Sequence, residues 1–373
     1  MEVRKVDTIR PHHAYLDVLE PYEPPDLAAA AERAGVEVDE LIRMIANENP
    51  FGPSPRVMEA LGEYDAYHYH PDYGALKEAV ARYAGVAPEQ VVLGNGADEL
   101  IDLLVRLFAA PGESVVTCPP TFAMYRFSAR VNRCEVLAVP KRGDLSLDVE
   151  AIERAVRAGR METGEKGGGS ARILFVVSPG NPSGRAVGVE TIKRLLALPL
   201  AVVVDEAYVE FGGESVVSLL GAHDNLVILR TFSKWAGVAG LRLGYALLSP
   251  GLAEDLERIR PPYNVNAAAV VAALATFGDL DRVQATIERL VEERARLTDA
   301  LRGIPYLEPL DSEANFVLCR VAGRPAGEVV EGLLDRGILV RDFSDPVMKD
   351  YVRISVGRPE QDDALLRALE SMA

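Results

Sequence analysis

Residues 231–247, TFSKWAGVAGLRLGYAL, place Lys234 between small hydroxyl residues and a run of glycines that also carries Arg242. Lysine is scarce in this chain, seven against 33 arginines, so few amines are available as nucleophiles. Lys234 follows directly on the apolar run LVILRTF, which puts it at the C-terminal end of a buried strand, where α/β sheets bind their ligands. An amine there, beside a second cation and partly desolvated, loses basicity and can form Schiff bases. Asp205 ends a second apolar run, LAVVVDEAY. A carboxylate in that position is costly unless a cation or several donors meet it. Taken together, amine and acid suggest a pyridine cofactor: a carboxylate on the ring nitrogen keeps the ring protonated, and a protonated ring is an electron sink.

A third element is LGNGADEL, residues 93–100, a glycine-containing turn between strand and helix. If the helix starts near Gly96, the backbone N–H groups of Ala97 and Asp98 are free to hold a phosphate, and Thr231, Ser233 and Arg242 complete the same pocket. The acidic pair Asp98 and Glu99 suits the first turn of a helix, where negative charge is favoured. The five histidines show no ligand spacing, so no metal site is expected.

These residues need a scaffold. Between residues 90 and 250 seven β-rich runs alternate with helical stretches: QVVLG, ESVVTC, EVLAVP, RILFVVS, AVVVDEA, LVILRTF and YALLS. Continuous Val/Ile/Leu runs without polar alternation mark strands buried on both faces of a largely parallel sheet. Residues 266–302 read as one or two long helices, and NFVLCRV, ILVRDF, YVRISVG and the helical PEQDDALLRALESM then give an α+β rhythm. The expected division is an N-terminal arm with part of a small domain over 1–50, a large domain over 51–263 and a small C-terminal domain over 264–373. The first fifty residues are too rich in Pro and Asn for a sheet and should drape over other elements. Residues 158–171, AGRMETGEKGGGSA, read as a mobile surface loop.

A net charge of −16 over 373 residues argues against non-specific binding to nucleic acid or anionic membranes. Cys118, Cys134 and Cys319 have no CxxC spacing, and reduced cytosolic thiols are expected. The opening MEVRKVDTIRPHH lacks an apolar core for export, and no apolar run reaches the roughly 18 residues of a membrane span. The expectation is a cytoplasmic protein.

With SPGNPSG (178–184) and NENPFGPSP added, the chain resembles fold-type I pyridoxal-phosphate aminotransferases, most of all the histidinol-phosphate aminotransferase group. The likeness runs from NENPFGPSP to YVRISVG and is strongest in TFSK…GLRLGYA. It implies a large domain with a mostly parallel seven-stranded sheet flanked by helices, plus a small α+β domain. It implies that Lys234 is joined to pyridoxal 5′-phosphate, that Asp205 pairs with the ring nitrogen, and that Asn181 and Tyr208 bond the ring's phenolate oxygen. Gly96, Ala97, Asp98, Thr231, Ser233 and Arg242 occupy positions that hold the cofactor phosphate, and Phe122 the position of the stacking aromatic, commonly Tyr. In such enzymes a tyrosine from the neighbouring subunit reaches the phosphate; YHYHPDYG offers Tyr69 or His70 for that place, which implies a homodimer with active sites at the subunit interface.

Arg353 in YVRISVG matches the carboxylate-binding arginine, and Arg341 in ILVRDF a second arginine used on a substrate phosphate. Tyr22 would cover that phosphate if the N-terminal arm folds across the site. The bland alternative for Arg341 is an ion pair with Asp342 or Asp345. The implied reaction is transamination between a small-molecule amino donor and a 2-oxo acid, histidinol phosphate with 2-oxoglutarate. An aromatic or broad-specificity aminotransferase needs Arg353 but not Arg341, and a threonine-phosphate decarboxylase shares the fold. A cofactor-binding regulator would carry a basic helix-turn-helix before NENPFGPSP, and none is seen.

Overall fold

The computed structural model describes Leu16, Leu19, residues 24–158 and residues 169–373. Tyr22, the first two histidines and most of the 158–171 segment lie outside the described residues.

In chain order the strands are β1 (Ile42–Met44), β2 (Val91–Gly94), β3 (Ser114–Thr117), β4 (Glu135–Ala138), β5 (Ala171–Val177), β6 (Ala201–Asp205), β7 (Leu226–Thr231), β8 (Gly244–Leu248), β9 (Leu307–Pro309), β10 (Phe316–Val321), β11 (Ile338–Val340) and β12 (Tyr351–Ser355). The seven runs read from residues 90–250 become β2 to β8, and all join one sheet in the order β2-β8-β7-β6-β5-β3-β4. β8 runs antiparallel to both its neighbours, and the other pairings are parallel.

The lack of polar alternation has a direct cause. Val202, Val204 and Ile228 pack into the core on one face of the sheet, while Val203, Val227 and Leu229 pack into the core on the other. Successive side chains of a strand point to opposite faces, so a strand covered on both sides must be apolar throughout. Each fully buried aliphatic side chain here contributes roughly 1.5–3 kcal/mol. Only the strand ends admit polar groups. The register Val177↔Asp205↔Leu229 brings the C-terminal ends of β5, β6 and β7 to one edge, which carries Ser178, Asp205 and Thr231.

The C-terminal part forms a three-stranded antiparallel sheet, β12-β10-β9, backed by the 22-residue helix Leu280–Leu301. One expectation needs correcting, because the first fifty residues do enter a sheet: β1 pairs in parallel with β11, Ile42 opposite Ile338. A high average of Pro and Asn hides the short IRM stretch, and three residues suffice for an edge pair. Ahead of it stands the helix Leu27–Ala34, opened by the Asp26 side chain accepting from the Ala29 N–H and closed by Gly35. It buries Ala30 and Ala31 against Leu41 and Leu339. Among the described residues no helix is long and apolar enough to cross a membrane.

Candidate active site

Asp205 lies at the sheet edge with 4% of its surface exposed. Its Oδ2 accepts a 2.6 Å hydrogen bond from the Tyr125 hydroxyl and its Oδ1 a 3.0 Å bond from the Ala207 N–H. Burial pushes the carboxyl up to about 6, while these two donors pull the other way. Tyr125 is fully buried and stacked on Phe175 at 4.7 Å. Sequence reasoning missed it, because an aromatic three residues after Phe122 on an amphipathic helix reads as core. The signal was its hydroxyl, which in a buried tyrosine requires a partner.

A pH-dependent consequence follows. Tyr125→Phe removes a donor that favours ionised Asp205, so the carboxyl of the variant titrates higher still. The two proteins therefore differ in stability most where wild-type Asp205 is ionised, and the difference widens as pH rises through about 6. Urea unfolding of the cofactor-free proteins is expected to show a loss of roughly 1.5–3 kcal/mol at pH 8 and much less at pH 5. An equal loss at both values would show that Tyr125 acts through packing alone.

Lys234 is half-buried, and its Nζ donates to Ala46 O at 2.8 Å. Burial lowers its pKa to about 8; Arg353 and Arg242 act in the same sense and Glu48 opposes them. Near neutral pH an appreciable share of this amine is uncharged.

Asn181, Tyr208 and Arg353 are brought together. Arg353 Nη1 donates to Asn181 Oδ1 and Nη2 to Ile45 O, both at 2.7 Å, and the guanidinium lies 5.3 Å from the Phe316 ring centre. The Tyr208 hydroxyl oxygen accepts from Asn47 Nδ2 at 3.0 Å and from Asn181 Nδ2 at 3.5 Å. Asn47 is a second residue that sequence reasoning missed, since nothing in its spacing connects it with a tyrosine 161 positions away.

The glycines around Arg242 have steric reasons. The helix Gly96–Phe108 begins at Gly96 in a left-handed conformation, φ 79°, and a Cβ there would stand 2.7 Å from Arg242 Nη2. A Cβ on Gly244 would meet Ala97 N at 2.7 Å. Arg242 Nη2 donates to Asp98 Oδ2 at 2.9 Å and Nη1 approaches Ser233 Oγ at 3.4 Å, with the Thr231 hydroxyl 3.0 Å from that same oxygen. Helix N–H groups, two hydroxyls and a guanidinium thus meet around one point, as an anion site requires. Phe122 opens the helix Ala123–Val131, its ring edge-on to Tyr125 at 5.7 Å.

Arg341 and Arg353 form a direct antiparallel bridge, each N–H donating to the other's carbonyl at 3.0 and 2.8 Å. Directly opposed residues project from the same face, so the Arg341 and Arg353 side chains start from one face of the pair. Among the described residues Arg341 makes no ion pair with Asp342 or Asp345. Tyr69 stands apart, 69% exposed, and His70 stacks on Tyr263 at 4.1 Å.

Comparison with known proteins places the chain in one family. Residues 39–369 match the family described as aminotransferase class I and II. The chain is 46% identical to histidinol-phosphate aminotransferase of Roseiflexus castenholzii over 95% of this chain and 96% of that protein. It is 42% identical to the chloroplastic enzyme of the same name from Nicotiana tabacum, over 97% of this chain and 86% of that one. Among solved structures, histidinol-phosphate aminotransferase from Sinorhizobium meliloti, in complex with pyridoxal-5′-phosphate, superposes with a TM-score of 0.86 at 28% identity, covering 98% of this chain and 99% of that one.

Proposed function

The chain belongs to the class I and II aminotransferases, and from that premise we propose that it transfers the amino group of histidinol phosphate to 2-oxoglutarate with pyridoxal 5′-phosphate held at Lys234. The residues fit that cofactor. Gly96 and Gly244 let Arg242 and the helix N-terminus approach more closely than a Cβ would allow, and the N–H groups of Ala97 and Asp98, the Thr231 and Ser233 hydroxyls and Arg242 are donors for a phosphate. Asp205 supplies the buried acid for a ring nitrogen, Tyr208 and Asn181 the donors for a phenolate oxygen, and Phe122 an apolar face.

When bound, the cofactor supplies an aldehyde carbon that joins amines and a cationic ring that draws electrons from the bond being broken. Asp205, buried at the strand end, would pair with the ring nitrogen and keep it protonated. Lys234 would hold the cofactor, and its Nζ, when free, would be the base that takes and returns the proton at the donor's α-carbon. A pKa of about 8 suits an amine that must both accept and release that proton. Arg353, oriented by Asn181 and Ile45, receives the carboxylate of 2-oxoglutarate and glutamate.

The observation that carries the substrate reading is the bridge between Arg341 and Arg353. Two arginines based on one face suit a phosphate dianion, whereas a monoanionic amino acid is served by one. Arg341→Ala is expected to lower kcat/KM for histidinol phosphate by about 10²-fold, mostly through KM, and that for phenylalanine by less than about threefold. Steady-state kinetics with both donors checks this; equal losses would place Arg341 outside the phosphate site.

We also propose a homodimer in which Tyr69 or His70 of one subunit reaches the other's phosphate site, and a division into an arm over 1–50, a large domain over 51–263 and a small domain over 264–373. The exposure of Tyr69 and of nearby Tyr67 and Tyr263 supports the first. The separate sheets support the second.

A further inference from the structure

Three consecutive residues of the N-terminal segment each engage one side chain of the site. Ile45 O accepts from Arg353, Ala46 O accepts from Lys234, and Asn47 Nδ2 donates to Tyr208. Asn47 makes this turn with a left-handed backbone, φ 53°, and is 1% exposed. Its polar groups are all used: N–H donates to Ser355 Oγ, Oδ1 accepts from the Ser355 hydroxyl, and the carbonyl accepts from Asn315 Nδ2. Glycine would adopt the backbone more readily, so the asparagine is there for its amide.

Ser355 and Tyr208 hold opposite ends of that amide. The Ser355 oxygen already accepts from the Asn47 N–H and its hydrogen goes to Oδ1, which leaves Nδ2 for the phenol. An N–H donating to the phenol oxygen turns the phenol's own hydrogen toward an acceptor. We infer that Asn47 is a positioning residue that holds Tyr208 as a hydrogen-bond donor to the cofactor's phenolate oxygen and so sets the acidity of the linkage at Lys234. This rests on the reading that pyridoxal phosphate is bound there. A donor on the phenolate draws charge away from the neighbouring nitrogen, and that nitrogen then releases its proton at lower pH.

The test is a spectrophotometric pH titration of the visible band of the holoenzyme. Asn47→Asp keeps shape and tolerates the backbone, but puts an acceptor where the donor was and draws the phenol hydrogen to itself. Its titration midpoint is expected to rise by about one pH unit, a tenfold change in the equilibrium. Asn47→Gly keeps the backbone and only deletes the amide, so a smaller rise is expected. Tyr208→Phe should rise at least as far as Asn47→Asp, and the double variant no further than Tyr208→Phe alone, since both act through one hydroxyl. An Asn47→Asp midpoint equal to wild type, a larger rise in Asn47→Gly, or additive shifts in the double variant would overturn the inference while leaving cofactor binding intact. A wild-type protein that forms no visible band would remove the reading beneath it as well.

Discussion

Lys234→Ala is expected to take up pyridoxal phosphate without fixing it, and to transaminate at least about 10⁴-fold more slowly than wild type. Two losses combine. The amine that binds the aldehyde covalently is gone, and so is the base at the donor's α-carbon; proton transfer alone is worth about 10²–10⁴-fold. The environment leaves no substitute. Arg353 and Arg242 are the cations beside Lys234, and a guanidinium stays protonated and cannot act as a base. Ala46 O, which accepts from Nζ, loses its donor in the variant, so a small fall in stability is expected as well, about 1 kcal/mol. Borohydride reduction followed by peptide mapping checks the assignment: wild type carries the label on Lys234, and a label on any other lysine contradicts it.

The second large effect belongs to Asp205. Asp205→Asn keeps the volume, with Oδ1 still accepting from the Ala207 N–H and Nδ2 donating to the Tyr125 hydroxyl oxygen, but a neutral amide no longer holds a charge on the ring nitrogen. The electron sink is then weakened in the transition state, and kcat is expected to fall about 10³-fold, some 4 kcal/mol. The loss should lie in kcat rather than in KM for the donor, because the interaction matters most while the carbanion forms. A cofactor analogue whose ring nitrogen is methylated, and therefore permanently cationic, should recover part of that loss in the variant. No recovery, together with a mainly KM effect, would mean that Asp205 only shapes the pocket.

Much of this arrangement was legible in the residues. The seven strands of the large sheet announced themselves because both faces are covered, which forces runs such as AVVVD and LVILRT. Lys234 and Asp205 could be read because a charge ending such a run needs a partner. β1 was illegible for the converse reason: three residues at a sheet edge, only one of them buried, carry no periodicity. Tyr125 and Asn47 escaped because their roles depend on contacts 80 and 161 positions away, set by how the strand ends converge. Arg341, one of 33 arginines, stood out only through the resemblance, and its place opposite Arg353 became visible only in the bridge between the two strands.

The central claim is that the site joins a phosphorylated amino donor to a cofactor at Lys234. A single-turnover half-reaction tests it most directly: holoenzyme is mixed with histidinol phosphate and no acceptor, then given 2-oxoglutarate. The account predicts loss of the visible band, one oxo product per active site, and return of the band with the formation of glutamate. A band untouched by histidinol phosphate but lost with phenylalanine, or a turnover that releases carbon dioxide from a phosphorylated amino acid, would contradict it.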